Sequence, residues 1–304
     1  MKILFAGGTG FIGKSLTESL IQQNHNVVVL TRSIKSSHSP NLRFVSWDPF
    51  QFDSSWESEL EGADAVINLA GEPIANKRWT TAQKKALLES RLSSVTAINR
   101  AIRKASQRPK VLLNASAVGY YGSRGDEILD ESSKPGTGFL AELCQRWEEA
   151  VMEAESLNVR AIRLRIGLVL EKGGGALGKM LPPFQLGLGG PLGDGKQWMS
   201  WIHRGDLIRL ILFLLDHSEA HGTINGTSLN PVRMSEFAKT LGRILGRPAI
   251  FPVPAALLRI LLGELSEMLL TGQCVLPQRA IQLGFSFQYP TLNLALEDIL
   301  KSKP

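Results

Sequence analysis

Cysteine and tyrosine are the scarce residues of this chain, two and three among 304. Cys144 and Cys274 lie far apart, with no Cys-x-x-Cys or Cys/His spacing. That excludes a zinc site and a disulfide framework and fits a reducing, cytoplasmic setting. Long apolar runs are also missing. Leu207–Leu215 is broken by Arg209, and Val253–Leu270 by Arg259, Glu264 and Glu267. Neither reaches the ~20 apolar residues of a membrane span, so both read as buried or amphipathic helices. Met1 and Lys2 lead straight into Ile3-Leu4-Phe5-Ala6 and glycines, without the regions of a signal peptide. The formal net charge is +6, and Lys77, Arg78, Lys84, Lys85, Arg91, Arg100, Arg103, Lys104 and Arg108 form one basic region. Acidic residues surround it and no aromatics interleave as stacking platforms, so nucleic acid is not the expected partner. A solvated helix face or a site for a phosphorylated ligand remains.

What is present is an alternation of short apolar runs with longer stretches of helical period, the pattern of βαβ units and a parallel sheet. Strands are expected at Lys2–Ala6, Val27–Thr31, Leu42–Ser46, Ala65–Leu69, Lys110–Ala115 and Val159–Leu164. Ile12, Leu16 and Leu20 give the first helix one buried face; longer helices are expected over Thr80–Ser106 and Phe139–Ser156. From about Ile166 the texture becomes Gly/Pro-rich. The reading is a doubly wound dinucleotide-binding domain over 1–165, with a returning segment near 203–225. A smaller substrate-side α/β domain takes 166–202 and 226–304.

Gly7-Gly8-Thr9-Gly10-Phe11-Ile12-Gly13 follows the first strand and opens the first helix. Gly7, Gly10 and Gly13 at spacing three suit a tight turn, close approach to a pyrophosphate and close packing of helix on strand, with helix amides free for an anion. Strand, loop and helix in that order are the context that makes the motif informative. The second strand ends Thr31-Arg32-Ser33, with Lys35 behind. An acidic residue there would hold the ribose hydroxyls and repel a 2′-phosphate; Arg32 and Ser33 instead favour NADP(H) over NAD(H). The plain alternative makes Arg32 an exposed loop residue. Leu69, Ala70, Gly71 and Glu72, after the fourth strand, are expected beneath the cofactor, and Asp48 is a weaker candidate for the adenine.

Together with Ala115-Ser116-Ala117-Val118-Gly119-Tyr120-Tyr121-Gly122, these motifs resemble the extended, epimerase-type short-chain dehydrogenase/reductase superfamily. Asn68–Trp79, Ser90-Arg91, Trp147-Glu148, Gly173–Met180, Gly187–Gly195 and Trp201–Leu207 narrow the likeness to the YfcH-like epimerase-family branch, over essentially the whole chain. The resemblance implies a Rossmann domain with a small C-terminal substrate domain. It also implies NADP binding through Arg32, Leu69, Ala70 and Arg91, and a homodimer paired through two long helices.

One part of the superfamily pattern is absent. Its members usually carry Tyr-x-x-x-Lys, where an ammonium one helical turn away favours the phenolate. Here Tyr120 is followed four residues later by Arg124, Tyr121 by Gly125 and Tyr289 by Asn293; where the pair belongs stand Phe139 with Leu143 and Leu140 with Cys144. Ser116 matches the superfamily serine, either polarising a carbonyl or ending a strand. The catalytic candidates are therefore Ser116, Tyr120 and Tyr121, with His203 and Glu72 as other proton sources. Cys144 reads as a core thiol.

A second glycine cluster, Gly173 to Gly195, precedes Trp198 and Trp201 and reads either as a mobile lid over a substrate or as a connector. The resemblance places it beside Lys77, Arg78 and Trp79, which implies a small anionic or phosphorylated substrate. Asp206 is expected to cap a helix and His203 to be structural. Two functions follow: an NADP(H)-dependent oxidoreductase or epimerase with atypical proton transfer, or a protein that binds NADP(H) as sensor or scaffold without turnover.

Overall fold

The computed structural model describes residues 1–37, 39–51 and 55–301. Seven strands form its centre: β1 (Lys2–Ala6), β2 (Asn26–Thr31), β3 (Leu42–Ser46), β4 (Ala65–Asn68), β5 (Val111–Ala117), β6 (Arg160–Ile166) and β7 (Gly222–Gly226). They lie in the order β3-β2-β1-β4-β5-β6-β7, every neighbouring pair parallel. The winding reverses between β1 and β4, whose last residues Ala6 and Asn68 pair, so the crevice at the strands' carboxyl ends opens there.

Strand alternation divides the core into two layers. Leu4, Val28, Val66 and Leu112 face one layer with α2 (Thr81–Lys104) and α3 (Phe139–Ser156). Ile3, Phe5, Ile67 and Leu113 face the other with α1 (Phe11–Gln22) and α5 (Arg204–Asp216). Between these helices comes α4 (Gly175–Gln185), which joins α6 (Met234–Leu245) and the C-terminal helix Leu292–Lys301 in a separate cluster around Trp201, Phe237 and Leu296. Helix α2 starts where Thr80 Oγ1 accepts from Gln83 N at 3.2 Å, and Arg103 and Lys104 lie in its last turn, where a positive charge suits the helix dipole.

Three two-stranded pairs stitch the remainder together. Leu168–Leu170 runs parallel to Trp201–His203, Ile128–Leu129 parallel to Cys274–Val275, and Trp198–Met199 antiparallel to Val232–Arg233. Among the described residues no helix is long and apolar enough to cross a membrane. Leu207–Leu215 lies within α5 and is mostly buried, whereas Val253–Leu270 forms shorter helical segments with few buried residues. Of its α7 (Ala255–Leu262), only Leu258 is buried.

Part of the second glycine cluster packs tightly. A β-carbon at Gly190 would lie 2.0 Å from Phe251 O, and one at Gly189 2.4 Å from the Phe184 ring. Gly174 abuts the Phe11 ring in the same way, at 2.7 Å. These three glycines allow close approach to their neighbours, whereas a β-carbon at Gly173 would meet nothing within 4 Å.

Candidate functional site

The Gly7–Gly13 loop stands at the β1 edge of the crevice. Gly10 N donates to Gly7 O at 3.0 Å, and Gly7 has φ +91°, a conformation costly for any residue with a β-carbon. A β-carbon there would also strike Leu69 C at 2.7 Å, and one at Gly13 would strike Gly7 O at 2.1 Å. The loop therefore lies backbone to backbone against Leu69 and Ala70. Gly10 caps α1 without a side-chain hydrogen bond, and no acidic residue occupies the first turn, which leaves those amides to an anion. Thr9, Phe11 and Ile12 are half-buried at the same turn.

Across the crevice, Asn68 fixes the exit of β4. Its Oδ1 accepts from Ala70 N at 3.1 Å, while Nδ2 donates to Asn114 Oδ1 at 2.6 Å and Ser94 Oγ at 3.1 Å. Glu72 N then donates to Ser90 Oγ at 3.0 Å, and Arg91 Nη1 to Glu72 O at 3.2 Å and Leu87 O at 2.9 Å. The Arg91 guanidinium lies 5.1 Å over the Trp147 ring and against Gly71. Burial lowers its proton affinity, its Nε is buried without a partner, and among the described residues no carboxylate forms an ion pair with it. A guanidinium kept from water in this way is poised for an anion. At the end of β2, Thr31 Oγ1 shapes the turn by accepting from Ser33 N at 3.3 Å. Arg32 and Ser33 are exposed, and no hydrogen bond or ion pair occupies the Arg32 side chain among the described residues.

The far side of the site holds a polar network that sequence reasoning missed. Ser116 Oγ donates to Glu148 Oε1 at 2.6 Å, and Glu148 accepts from Arg165 Nε and Nη2, each at 2.8 Å. Arg165 Nη1 donates to the Tyr121 hydroxyl at 2.9 Å, which in turn donates to Asn225 Oδ1 at 2.8 Å. Burial opposes the charge of Arg165, yet its hydrogen bonds to Glu148 and that carboxylate's charge hold it protonated well above the usual range. Burial pushes Tyr121 up to about 12 despite Arg165 and Asn225. Cys144 is also pushed up to about 12, by burial and then by Glu148, the property of an inert core thiol. The strand carries three arginines, Arg160, Arg163 and Arg165, and nothing local in the sequence marks Arg165 as the buried partner of Glu148.

These bonds sort the catalytic candidates. Ser116 commits its only proton to Glu148, which removes the donor needed to polarise a carbonyl. Tyr121 is wholly buried with both hydrogen bonds made. Tyr120 differs: its ring lies 3.3 Å over Arg165 Cζ, it is half-buried, and its hydroxyl has no protein partner among the described residues. Arg124 does not assist it, being paired with Glu127 at 2.8 Å. Phe139, beside the expected place of the missing tyrosine, packs edge-on against Trp79 at 5.2 Å.

The groups expected to attract an anionic substrate are engaged in the fold. Arg78 donates to Leu261 O at 2.8 Å and to Ile260 O, Trp79 Nε1 donates to Ile74 O at 2.9 Å, and Lys77 stands 3.6 Å from Glu72. The α5 cap is a correction: His203 Nδ1, not Asp206, accepts from Gly205 N at 3.0 Å. Asp206 is fully buried because it anchors Gln288 N at 3.0 Å and Tyr289 N at 2.9 Å.

Fold and crevice define an α/β protein built around a nucleotide-cofactor site. A family model described as the NAD dependent epimerase/dehydratase family matches residues 3–225, and one for a domain of unknown function, DUF1731, matches 253–299. The chain belongs to that epimerase/dehydratase family. It is 43% identical to the chloroplastic SDR39U1 homolog of Arabidopsis thaliana over 99% of this chain and 87% of that protein. It is 37% identical to the epimerase family protein YfhF of Bacillus subtilis, over 100% of this chain and 99% of that one. The crystal structure of human SDR39U1 (isoform 2) with NADPH superposes at a TM-score of 0.88, with 36% identity and all of both chains covered.

Proposed function

We propose that the chain is an NADP(H)-dependent oxidoreductase or epimerase acting on a small molecule, with Tyr120 in place of the usual Tyr/Lys pair. The observation that carries the cofactor half is the buried Arg91 guanidinium, without an anionic partner, across the crevice from uncapped α1 amides. Gly7, Gly10 and Gly13 with Thr9, Phe11 and Ile12 would hold the diphosphate, Leu69, Ala70, Gly71 and Glu72 the inner ribose, and Arg32 and Ser33 the 2′-phosphate. Residues 166–202 and 226–304 would supply the substrate side. The NADPH named for the human relative's structure supports the choice of cofactor.

The bound cofactor supplies a hydride. The protein's own task is to give or take the proton on the substrate oxygen, and Tyr120 has the free hydroxyl for it, held over the Arg165–Glu148 pair. A second reading, cofactor binding without turnover, is favoured by one observation: Ser116 and Tyr121 are both locked into a buried network. A panel of carbonyl compounds and nucleotide sugars offered with NADPH decides between them. Turnover that falls at least ~100-fold in Tyr120→Phe, as loss of a general acid does, supports the first reading. No turnover with any compound supports the second.

A further inference from the structure

The second lobe carries an apolar surface that the cofactor site does not use. Leu186 is 75% exposed, Leu188 61%, Ile250 71% and Phe251 50%; on α7, Leu257 is 45% exposed, Ile260 72% and Leu261 57%. Backbone pairing brings the first four together: Phe251 N donates to Gly189 O at 3.1 Å, Val253 N to Pro191 O at 2.9 Å, and Gly187 lies against Pro248. Helix α7 begins only four residues after Phe251. Its Leu257, Ile260 and Leu261 fall at i, i+3 and i+4, one face of the helix, while Leu258 is turned to the core. An apolar helix face directed outward, beside a second cluster of exposed aliphatic and aromatic side chains, exceeds the scattered exposure of an ordinary surface.

The charges around it have one predominant sign. Arg259 sits within α7 and Arg247 just before Pro248; both are exposed, with no side-chain partner among the described residues. Arg78, also exposed, holds the end of α7 by donating to the carbonyls of Ile260 and Leu261. Of the nearby acids, Glu264 is neutralised by Lys84, leaving Glu267. Apolar side chains to bury and arginines at their margin are the two elements of a helix that lies in a membrane interface.

We propose that this face docks on an anionic lipid bilayer, with Leu257, Ile260 and Leu261 of α7 and Leu186, Leu188, Ile250 and Phe251 entering the headgroup boundary. Arg247 and Arg259, both exposed and without a side-chain partner among the described residues, meet the lipid phosphates. The protein lies on the surface and does not span it.

Flotation of the full chain with vesicles of phosphatidylcholine alone, or mixed with phosphatidylglycerol, tests this. The expected result is partition roughly tenfold or more greater onto the anionic vesicles, declining as salt is raised. Leu257→Gln/Ile260→Gln, checked for an unchanged melting temperature and NADPH affinity, is expected to lose it, and Arg247→Gln/Arg259→Gln to lose the preference for anionic lipid. Failure to float with either vesicle overturns the proposal, as does flotation indifferent to the α7 double variant. Self-association by sedimentation that the same α7 variant abolishes overturns it in favour of a second copy as occupant.

Discussion

Arg165 and Glu148 form a two-pronged ion pair, Nε and Nη2 each 2.8 Å from one carboxylate oxygen, with side chains only 4% and 8% exposed. The pair joins β6 to α3 and orients three polar side chains around it, Ser116, Tyr120 and Tyr121. Two charges this deep lose much hydration, so their value lies in geometry more than in net stability. Glu148→Ala, which strands the arginine, is expected to cost about 3–5 kcal/mol in urea unfolding. Glu148→Leu with Arg165→Met should recover most of that loss, and equal destabilisation by single and double variants would show that the pair is not coupled.

Tyr121 sets the alkaline limit of the fold. Its phenol is held neutral up to about 12 in the folded protein, above the 10.0 of a free tyrosine, so the unfolded chain ionises first. The folded state then binds more protons, and stability is present below pH 10 and declines between 10 and 12, by roughly 3 kcal/mol for a shift of this size. Tyr121→Phe is expected to flatten the melting temperature over that window. At neutral pH it should cost about 1–3 kcal/mol, since Arg165 and Asn225 each lose a partner. A pH dependence unchanged by the substitution would contradict the assignment.

Cys144 and Cys274 are 1% and 5% exposed, and burial pushes both thiols up. Neither should react with a thiol-specific disulfide reagent in the native state, and both should react once the chain is unfolded in urea. Rapid labelling of Cys144 in native protein would restore it as a reactive group.

Gly13 has no room for a methyl group, its β-carbon position being 2.1 Å from Gly7 O. Gly13→Ala must push the loop away from α1, and NADPH affinity is expected to fall at least ~100-fold from lost amide contacts of a charge-assisted kind. Gly125→Ala, where a β-carbon meets nothing within 4 Å but φ is +57°, is the control at a glycine outside the loop: it should cost stability and leave binding intact.

The parallel sheet was legible because β1, β2, β4 and the start of β5 are apolar runs bounded by turn residues, and all six expected strands lie within two residues of those observed. The glycine loop was legible because its spacing and its place after β1 are local properties. The Ser116–Glu148–Arg165–Tyr121–Asn225 network was not. Its members come from four separate segments, and only the fold brings them together. For the same reason the sequence favoured Arg78 as an anion ligand, when the carbonyls of α7 claim it. The second glycine cluster read from sequence as a lid or as a connector, and only the fold shows Gly189 and Gly190 pressed against Phe184 and Phe251.

In the proposed function, Arg91 and the glycine loop hold a dinucleotide whose 2′-phosphate meets Arg32. Titrating NADPH and NADH into the protein by fluorescence tests it most directly. The expected result is NADPH affinity about tenfold or more above that of NADH, as one charge-assisted contact of about 1.5–3 kcal/mol would give. Arg32→Ala should erase most of the difference while leaving NADH affinity unchanged. Equal affinities in the unaltered protein, or a preference that survives Arg32→Ala, would contradict it.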